Sequence, residues 1–565
     1  MPWFPLLLPG MQRLLLGDYR IWPFLGLLVG VMTLGGDPES LVVVVLFAFL
    51  LIPVYSLRNY QRAHIVGAAT AWAAAIIVGL CLAAVQLAPY LEFMQWGALE
   101  VRDTDVFRWR DLGTLLAAPA RTGMTSGGAL WLPAGTVAFL LAPLWLAVRP
   151  HGNRPRRRRL EALLIATLLF LVAAPLLAPR LRGIPGLSHF GVHHFLIPYP
   201  LACAFLAATA LDEWVHLDAN RCKNALRTLV WLLPTVWLIA FPATWLLVRV
   251  SMPAASPASA LAPAALAALA LLLLLGVTLL WPRPTLSAYA CCLICVAYAW
   301  FVYAPQNQFA ADDRVFPETH FIRALRRQDS RVTGAPRLRH WPLAAHGIAQ
   351  TFSPSGVQLE RSRQFMDEAE HKPELLRLTG ASALLLTRQE VQGAFAALRP
   401  VLNIQEVFPS GAILLKDLQA HPRARIVHTG RSLQDKDAPV LRASGPPLLE
   451  GGALPQTISS PASASADIVG ESLNRITVVA DSGRPGVLVL ADAWYPGWRA
   501  SVADSNEPVF PVDIAFRGVE LSEGRHEVVF RYEPFSLRLG LYITLGAALV
   551  FAAGCYDWLR RGRAR

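Results

Sequence analysis

The sequence predicts a polytopic α-helical membrane protein with about ten spans and an extracytoplasmic region, part α/β and part β-sandwich, before the last span. Three observations predict this fold class. Hydrophobic residues make up 54% of the chain and charged residues only 16%, a balance that soluble domains rarely reach. Long apolar runs recur through residues 1–304 and again near the carboxy terminus. Between them, residues 305–536 have a soluble composition with turn signals and alternating apolar residues.

A multi-span transmembrane domain is predicted over residues 1–304, and a final transmembrane helix over 537–558. Apolar runs close to the length that crosses about 30 Å of hydrocarbon define the spans. They lie at 21–34, 41–57, 65–87, 129–148, 160–178, 195–211, 229–248, 261–281, 286–304 and 537–556. Residues 1–20 have neither the layout of a signal peptide nor a complete span, and predict an amphipathic or interrupted segment.

The arginine-rich loop at 149–159 determines the predicted orientation. It contains Arg154 and the run from Arg156 to Arg159, and positive charge beside a span is retained in the cytoplasm. Counting outward places both termini inside, including a cytoplasmic basic tail at 559–565, and the large region outside. Retention signals and contact with anionic membrane lipids then account for the net charge of +12. No nucleic-acid partner is predicted.

The seven cysteines all fall in predicted spans or the cytoplasmic loop, at positions 81, 203, 222, 291, 292, 295 and 555. The exported region has none, which excludes a disulfide framework there. The group at 291–295 lies in an apolar helix, where cysteine behaves as a small hydrophobe, and we predict no metal site from it.

The exported region is predicted to contain an α/β subdomain at 305–440, a linker at 441–469 and a β-sandwich at 470–536. Small residues and prolines at 443–447 and 459–465 indicate the linker. Alternation of apolar and polar residues predicts strands at 475–480, 486–491 and 527–532. Turn residues between these strands favour an antiparallel sandwich.

Several short motifs resemble the carboxy-terminal signature of the YfhO family of bacterial membrane proteins. They are WYPGWR at 494–499, AFR at 515–517, GRH at 524–526 and FRYEP at 530–534. Residues 85–92 resemble the family's Gln-x-x-Pro-x-x-Glu stretch, and 36–39 resemble its Gly-His-Pro-Glu/Gln turn. The resemblance extends over most of the chain at uneven strength.

This resemblance implies a GT-C-type glycosyltransferase of the bacterial inner membrane. Such an enzyme transfers a sugar from a polyprenyl-phosphate donor to a cell-envelope acceptor on the outer face. The chemistry needs an acidic residue at the acceptor hydroxyl, and either a divalent cation or basic side chains at the leaving phosphate. The sequence leaves the cofactor, the sugar and any partner subunit open.

The main departure from the family is at the amino terminus, where the first outer loop and its acidic residue are missing. The chain is therefore expected to be a shortened or truncated homologue. This keeps open an alternative function as a non-catalytic membrane scaffold or binding protein of the cell envelope. A transporter is less favoured, because the predicted spans contain almost no ionisable residues.

The predicted catalytic residues are Asp37, Glu92 and Asp105, which are expected to lie outside near the membrane. Arg102 and Arg108 are predicted to bind the substrate's phosphate. Alternatively, residues 100–111 form a solvated loop with paired charges, and Asp37 caps a turn ahead of a proline.

Two further sets of residues are predicted to bind substrate. His193 and His194 would bind an anionic head group, or sit at the interface without a ligand; a metal site lacks an evident third ligand. Trp494, Trp498 and Arg499 would stack on a sugar and contact its phosphate, or else close the end of the sandwich.

Overall fold

The computed structural model describes nine continuous ranges of the chain, together with scattered helical residues between 161 and 297 and residue 454. The described ranges are 4–35, 38–58, 64–99, 316–328, 330–334, 343–351, 357–432, 441–451 and 463–562. The chain divides into two compact units. The first comprises 1–87, 101–309 and 540–565, and the second comprises 88–100 and 310–539.

The first unit is helical where it is described. Its helices are α1 Phe4–Leu15, α2 Trp22–Leu34, α3 Pro38–Arg58 and α4 His64–Leu82, and α5 Ala84–Trp96 starts in it. A 3₁₀ turn at Tyr19–Ile21 leads into α2. Leu25, Val29, Val43 and Trp72 are fully buried among the packed helices. These apolar helices thus cover one another's side chains and form a core.

The predicted fold class of about ten spans is wrong. In the described part of the chain, two helices, Ile65–Leu82 and Phe535–Arg560, are long and apolar enough to cross a membrane, judged by length and composition. Tyr19–Leu34 and Leu41–Tyr55 are shorter apolar helices. β-Sheets form much of the rest of the described chain. The predicted runs at 129–148, 195–211, 229–248 and 261–281 lie almost wholly outside the described residues. The run at 286–304 lies outside them in large part, and the run at 160–178 in smaller part.

The error has a physical cause. A hydropathy window measures how apolar a run is, without asking where a helix ends or what covers its side chains. The predicted span at 65–87 is interrupted, because α4 ends at Leu82 and α5 begins at Ala84. The run at 21–34 contains a helix of 13 residues, of which Leu25, Leu28, Val29 and Met32 are buried in the helical core. Helices of that length commonly serve as core helices rather than spans.

The second unit contains a four-stranded sheet with the order β2-β4-β6-β5. Its strands are β2 Val332–Gly334, β4 Ala383–Thr387, β5 Leu402–Val407 and β6 Ala412–Asp417. Helix α6, His320–Arg326, packs on one face through Ile322 and Leu325. Helix α7, Glu360–His371, and a 3₁₀ helix at Pro373–Thr379 share a core with the other face.

Shorter elements complete this half of the unit. They are β1 Gly97–Leu99 paired with β3 Val357–Leu359, α8 Arg388–Gln392, and 3₁₀ helices at Leu343–His346 and Ala396–Val401. Thr387 and Glu390 form a capping box at the start of α8, each side chain bonding the other's backbone N–H.

A six-stranded and a five-stranded sheet form the other half. The first has the order β7-β12-β16-β15-β9-β8 and the second β10-β11-β17-β13-β14. The strands are β7 Ala424–Val427, β8 Arg431–Ser432, β9 Leu448–Leu449, β10 Ala464–Ser472, β11 Arg475–Ser482, β12 Gly486–Ala493, β13 Trp498–Val502, β14 Ser505–Glu507, β15 Phe510–Val512, β16 Phe516–Leu521 and β17 Gly524–Tyr532. Helix α9, Phe535–Gly562, follows. The strands predicted at 475–480, 486–491 and 527–532 lie within β11, β12 and β17.

Strand β12 is buried on both faces. Val487 and Val489 pack in the core that includes α7, whereas Leu488 and Leu490 pack in the core between the two larger sheets. Burial on both faces explains why this strand is a continuous apolar run. β12 pairs with β7 on one side and β16 on the other. It therefore lies at the centre of the second unit.

Candidate functional site

Six of the ten predicted catalytic and substrate-binding residues lie outside the described residues, and their roles remain predictions. They are Asp37, Arg102, Asp105, Arg108, His193 and His194. Glu92, Trp494, Trp498 and Arg499 are described, and all four belong to the second unit.

Glu92 lies near the end of α5 and is half-buried. Its Oε2 accepts a hydrogen bond from the hydroxyl of Ser536 in the first turn of α9. Burial raises the pKa of both Tyr495 and Tyr532, and the charge of Glu92 raises them further. The carboxylate is therefore partly enclosed, accepts a hydrogen bond from one hydroxyl group and lies near enough to two tyrosines to affect their pKa.

Trp494 is held by three contacts. Its Nε1 donates to the carbonyl oxygen of Val509 at 3.3 Å. The edge of Trp96 meets its ring at 5.6 Å between centroids, and the guanidinium carbon of Arg361 lies 4.9 Å from the ring centre. These contacts fix the ring beside α5 and α7.

Trp498 opens β13 and packs against the last strand. Its ring centre lies 5.4 Å from that of Tyr532, and the guanidinium carbon of Arg517 lies 3.6 Å from it, a cation–π geometry. Gly497 has φ +96°, and a Cβ there would lie 3.0 Å from the Cα of Pro534, so the turn before β13 needs glycine. Arg499 is exposed.

The most elaborate charged cluster in the described chain centres on Asp492, near the end of β12, which the sequence did not single out. Its side chain is only 8% exposed. Oδ1 accepts from Arg331 and, at 3.0 Å, from Nε of Arg423. Oδ2 accepts from Nη2 of Arg423 at 2.9 Å, and Nη1 of Arg517 lies 3.9 Å away. A register shift between Leu490 and Ala493 marks this point of the strand.

Three arginines thus converge on one buried carboxylate. Burial by itself raises the pKa of Asp492, but the hydrogen bond from Arg423 and the surrounding guanidinium charges outweigh it and lower the pKa to about 2. Burial lowers the pKa of Arg517 to about 10. Nη1 of Arg517 is buried and has no hydrogen-bond partner among the residues that the structure describes. The carboxylate is ionised at neutral pH, and the cluster is rich in positive charge.

Arg423 binds a second carboxylate through its other edge. Its Nη1 and Nη2 donate to the two oxygens of Glu471 at 2.7 and 2.8 Å. Glu471 is 53% exposed, in contrast to Asp492. Burial alone lowers the pKa of Arg423, but the bonds to both acids outweigh it and raise the pKa. Three guanidinium groups face two carboxylates, which leaves one net positive charge.

A cavity of about 710 Å³ adjoins this cluster, a volume within the usual range for small-ligand sites. We call it the arginine cavity. Its polar lining includes Arg326, Gln328, Ser330, Arg331, Ser382, His421, Arg423 and Glu471. The hydroxyls of Ser330 and Ser382 lie 2.7 Å apart, and the backbone N–H of Ser382 donates to Ser330 at 3.2 Å.

Two further residues shape the arginine cavity. Gly380 has φ +73°, and a Cβ there would come within 2.7 Å of the Cα of Arg423, so only glycine lets the two backbones approach. Burial, followed by the charge of Arg425, lowers the pKa of His421, which keeps its ring neutral at pH 7.

This lining is suited to an anionic ligand that also carries hydroxyl groups. Guanidinium forks bind carboxylate or phosphate through paired hydrogen bonds. Serine hydroxyls and a neutral imidazole can both donate and accept hydrogen bonds. Within the part of the chain that the structure describes, no group of three or more His, Cys, Asp or Glu side chains is placed to hold a metal ion.

A sequence signal for the Asp492 cluster exists, although it is weak. Asp492 follows the fully apolar run of β12, and Arg423 and Arg425 occupy alternate positions at the start of β7. Charged residues at the ends of buried strands need partners, because an unpaired buried charge is costly. The pattern predicts that partners exist but does not identify them.

Comparison with protein family models, with curated proteins and with solved structures gives no match for this chain. The resemblance to the YfhO family therefore depends on its short motifs alone.

Proposed function

We propose that the second unit is a binding module that takes a phosphate-bearing, hydroxyl-rich ligand in the arginine cavity. The observation that carries this proposal is the cluster beside the cavity, in which, among the described residues, three arginines face two carboxylates. An excess buried cation is unfavourable unless an anion or water compensates it. A bound phosphate would supply the missing charge, and the two serines would bind its oxygens or a neighbouring hydroxyl.

We also propose that α9 holds this module at a bacterial membrane. The helix has 28 residues, and large apolar side chains such as Leu545, Leu549 and Val550 are exposed along it. Such a helix loses exposed apolar area when it enters lipid. The protein would then be a binding protein of the cell envelope, and its ligand a phosphate monoester, either a free sugar phosphate or a polyprenyl phosphate.

Calorimetric titration of the full chain in detergent micelles tests the binding function. Glucose 1-phosphate represents the free ligand, farnesyl phosphate in mixed micelles represents the lipid-linked ligand, and glucose is the neutral control. We expect a phosphate ligand to bind at least roughly tenfold more tightly than glucose, because charge-assisted hydrogen bonds are about twice as strong as neutral ones. The phosphate that binds more tightly shows whether the ligand is a free sugar phosphate or a lipid phosphate.

Arg326→Gln removes a cavity-lining charge without touching Asp492, and should weaken phosphate binding by roughly tenfold. Arg363→Gln is the matched control, because Arg363 is a similarly exposed arginine on α7 paired with Glu360 and Asp367. Equal affinities for glucose and both phosphates would contradict the proposal. So would an equal effect of the two arginine substitutions.

Glycosyl transfer is the second candidate function, and the setting of Glu92 is the described observation that favours it. A half-buried carboxylate beside hydroxyl groups has the surroundings of a residue that orients an acceptor hydroxyl. If the protein transfers a sugar from a polyprenyl-phosphate donor, Glu92→Gln, Asp37→Asn or Asp105→Asn should lower the rate in membranes by roughly 100-fold. Glu368→Gln, in an exposed pair with Lys372, is the control. Full transfer by all three variants would eliminate this candidate.

A further inference from the structure

We propose that Glu471 occupies the position of the ligand's phosphate on Arg423, and that binding displaces it. This inference rests on the proposed binding function and adds its selectivity mechanism: a built-in carboxylate competes with the ligand for the same guanidinium edge.

The two edges of Arg423 are occupied differently. Nε and Nη2 donate to Asp492, which is buried and also accepts a hydrogen bond from Arg331. Nη1 and Nη2 face Glu471 in a two-pronged contact with both carboxylate oxygens. That geometry is the one in which guanidinium groups also bind phosphate. Asp492 therefore positions Arg423. The edge that faces Glu471, here called the outer edge, is the one that a ligand can occupy.

Glu471 can leave at little cost, whereas Asp492 cannot. More than half of the Glu471 side chain is already exposed, so its carboxylate would be hydrated as soon as it moves away. Losing Arg423 would leave Asp492 with less compensation inside the protein, where hydration is poor. The exchange is therefore restricted to the outer edge.

The strand that carries Glu471 is also suited to such movement. β10 is an edge strand that pairs with β11 in its sheet, and its register shifts between Ile468 and Gly470, immediately before Glu471. Ile468 and Glu471 both line the arginine cavity. An irregular edge strand has fewer ladder hydrogen bonds to hold it than a central one. A local shift there would open the outer edge of Arg423 to the cavity.

Competition with a resident carboxylate also predicts selectivity by charge. An incoming monoanion gains no more from Arg423 than Glu471 already does, so a carboxylate ligand such as acetate should bind poorly. A phosphate monoester carries close to two negative charges at neutral pH and gains more from the same fork. The site should therefore discriminate between phosphate and carboxylate ligands, and this discrimination should depend on Glu471.

Titration of the full-chain Glu471→Gln variant tests this directly. We expect glucose 1-phosphate, or farnesyl phosphate if that is the tighter ligand of the unmodified protein, to bind roughly three- to tenfold more tightly. Acetate should bind measurably to the variant and not to the unmodified protein. Glu368→Gln removes another partly exposed, paired carboxylate elsewhere in the unit and should change neither affinity. An unchanged thermal unfolding midpoint would establish that the variant is folded.

Unchanged or weaker phosphate binding by a folded Glu471→Gln variant would overturn the inference, because Glu471 would then support Arg423 instead of competing for it. That result leaves the binding function intact, provided that the unmodified protein binds phosphate. Failure of both proteins to bind either phosphate would instead overturn the binding function itself.

Discussion

Asp492 and Asp513 are two buried aspartates of the second unit with different surroundings. Asp513 follows β15 and is 1% exposed. Its Oδ1 accepts from the backbone N–H of Leu448 at 2.9 Å, and its Oδ2 lies 3.4 Å from Nη2 of Arg425. Asp492 accepts hydrogen bonds from Arg331 and Arg423, lies close to Arg517, and adjoins the arginine cavity.

At these two sites the number of charged donors, more than the depth of burial, determines whether the pKa of the carboxyl group is raised or lowered. Burial raises the pKa of Asp513, and the bond from Leu448 and the charge of Arg425 do not reverse it. At Asp492 the arginines do reverse it. One aspartate therefore joins neighbouring strands, and the other holds a positively charged group of arginines in place.

Replacing each aspartate with alanine should separate the two regions most strongly. Asp492→Ala leaves Arg331 and Arg423 without their buried partner and should cost about 3–5 kcal/mol of local stability. Asp513→Ala removes one backbone hydrogen bond and a longer ion pair, and should cost about 1–3 kcal/mol. Hydrogen exchange of the backbone amides in β7, β12 and β16, measured on the full chain, reports these costs. A larger effect from Asp513→Ala would reverse the comparison.

The acid dependence of stability should differ in sign between the two aspartates. The pKa of Asp492 falls from 3.8 to about 2 on folding, so the unfolded state binds more protons between these values. Its contribution, about 2 kcal/mol, is complete above pH 3.8 and is lost as the pH falls through 2. The raised pKa of Asp513 has the opposite effect, since stability then falls as the pH rises above 3.8.

Asparagine substitutions measure these two contributions separately. The free energy of opening of β12, obtained from hydrogen exchange corrected for intrinsic rates at each pH, should lose its rise between pH 2 and 3.8 in Asp492→Asn. In Asp513→Asn the decline of this free energy above pH 3.8 should disappear, while its rise between pH 2 and 3.8 remains. Identical pH profiles for the two variants would show that the arginines do not distinguish the aspartates.

The sequence predicts the parts of this fold that depend on local pattern. Alternation of apolar and polar residues identifies β11 and β17, whereas β12, predicted by the same rule, is a continuous apolar run that is buried on both faces. The apolar run at 537–556 lies within α9. Each of these features depends on residues that are close together in the chain.

The Asp492 cluster could not be predicted in this way. Arg331, Arg423, Glu471, Asp492 and Arg517 come from five separate elements or their flanks, and no spacing rule relates them. Their meeting depends on how β7 and β12 pair and on how β10 packs beside them. The prediction of about ten spans from hydropathy failed for a related reason, because an apolar helix covered by other helices and one covered by lipid have similar sequences.

The position of β12 between two cores also has a consequence for folding cooperativity. Alternate side chains of this one strand complete the core beside α7 and the core between the larger sheets. Removing the strand from either core removes it from both, so the two cores should open together, with a single free energy of opening. The two halves of the second unit, despite their different architectures, should therefore melt together as one cooperative unit.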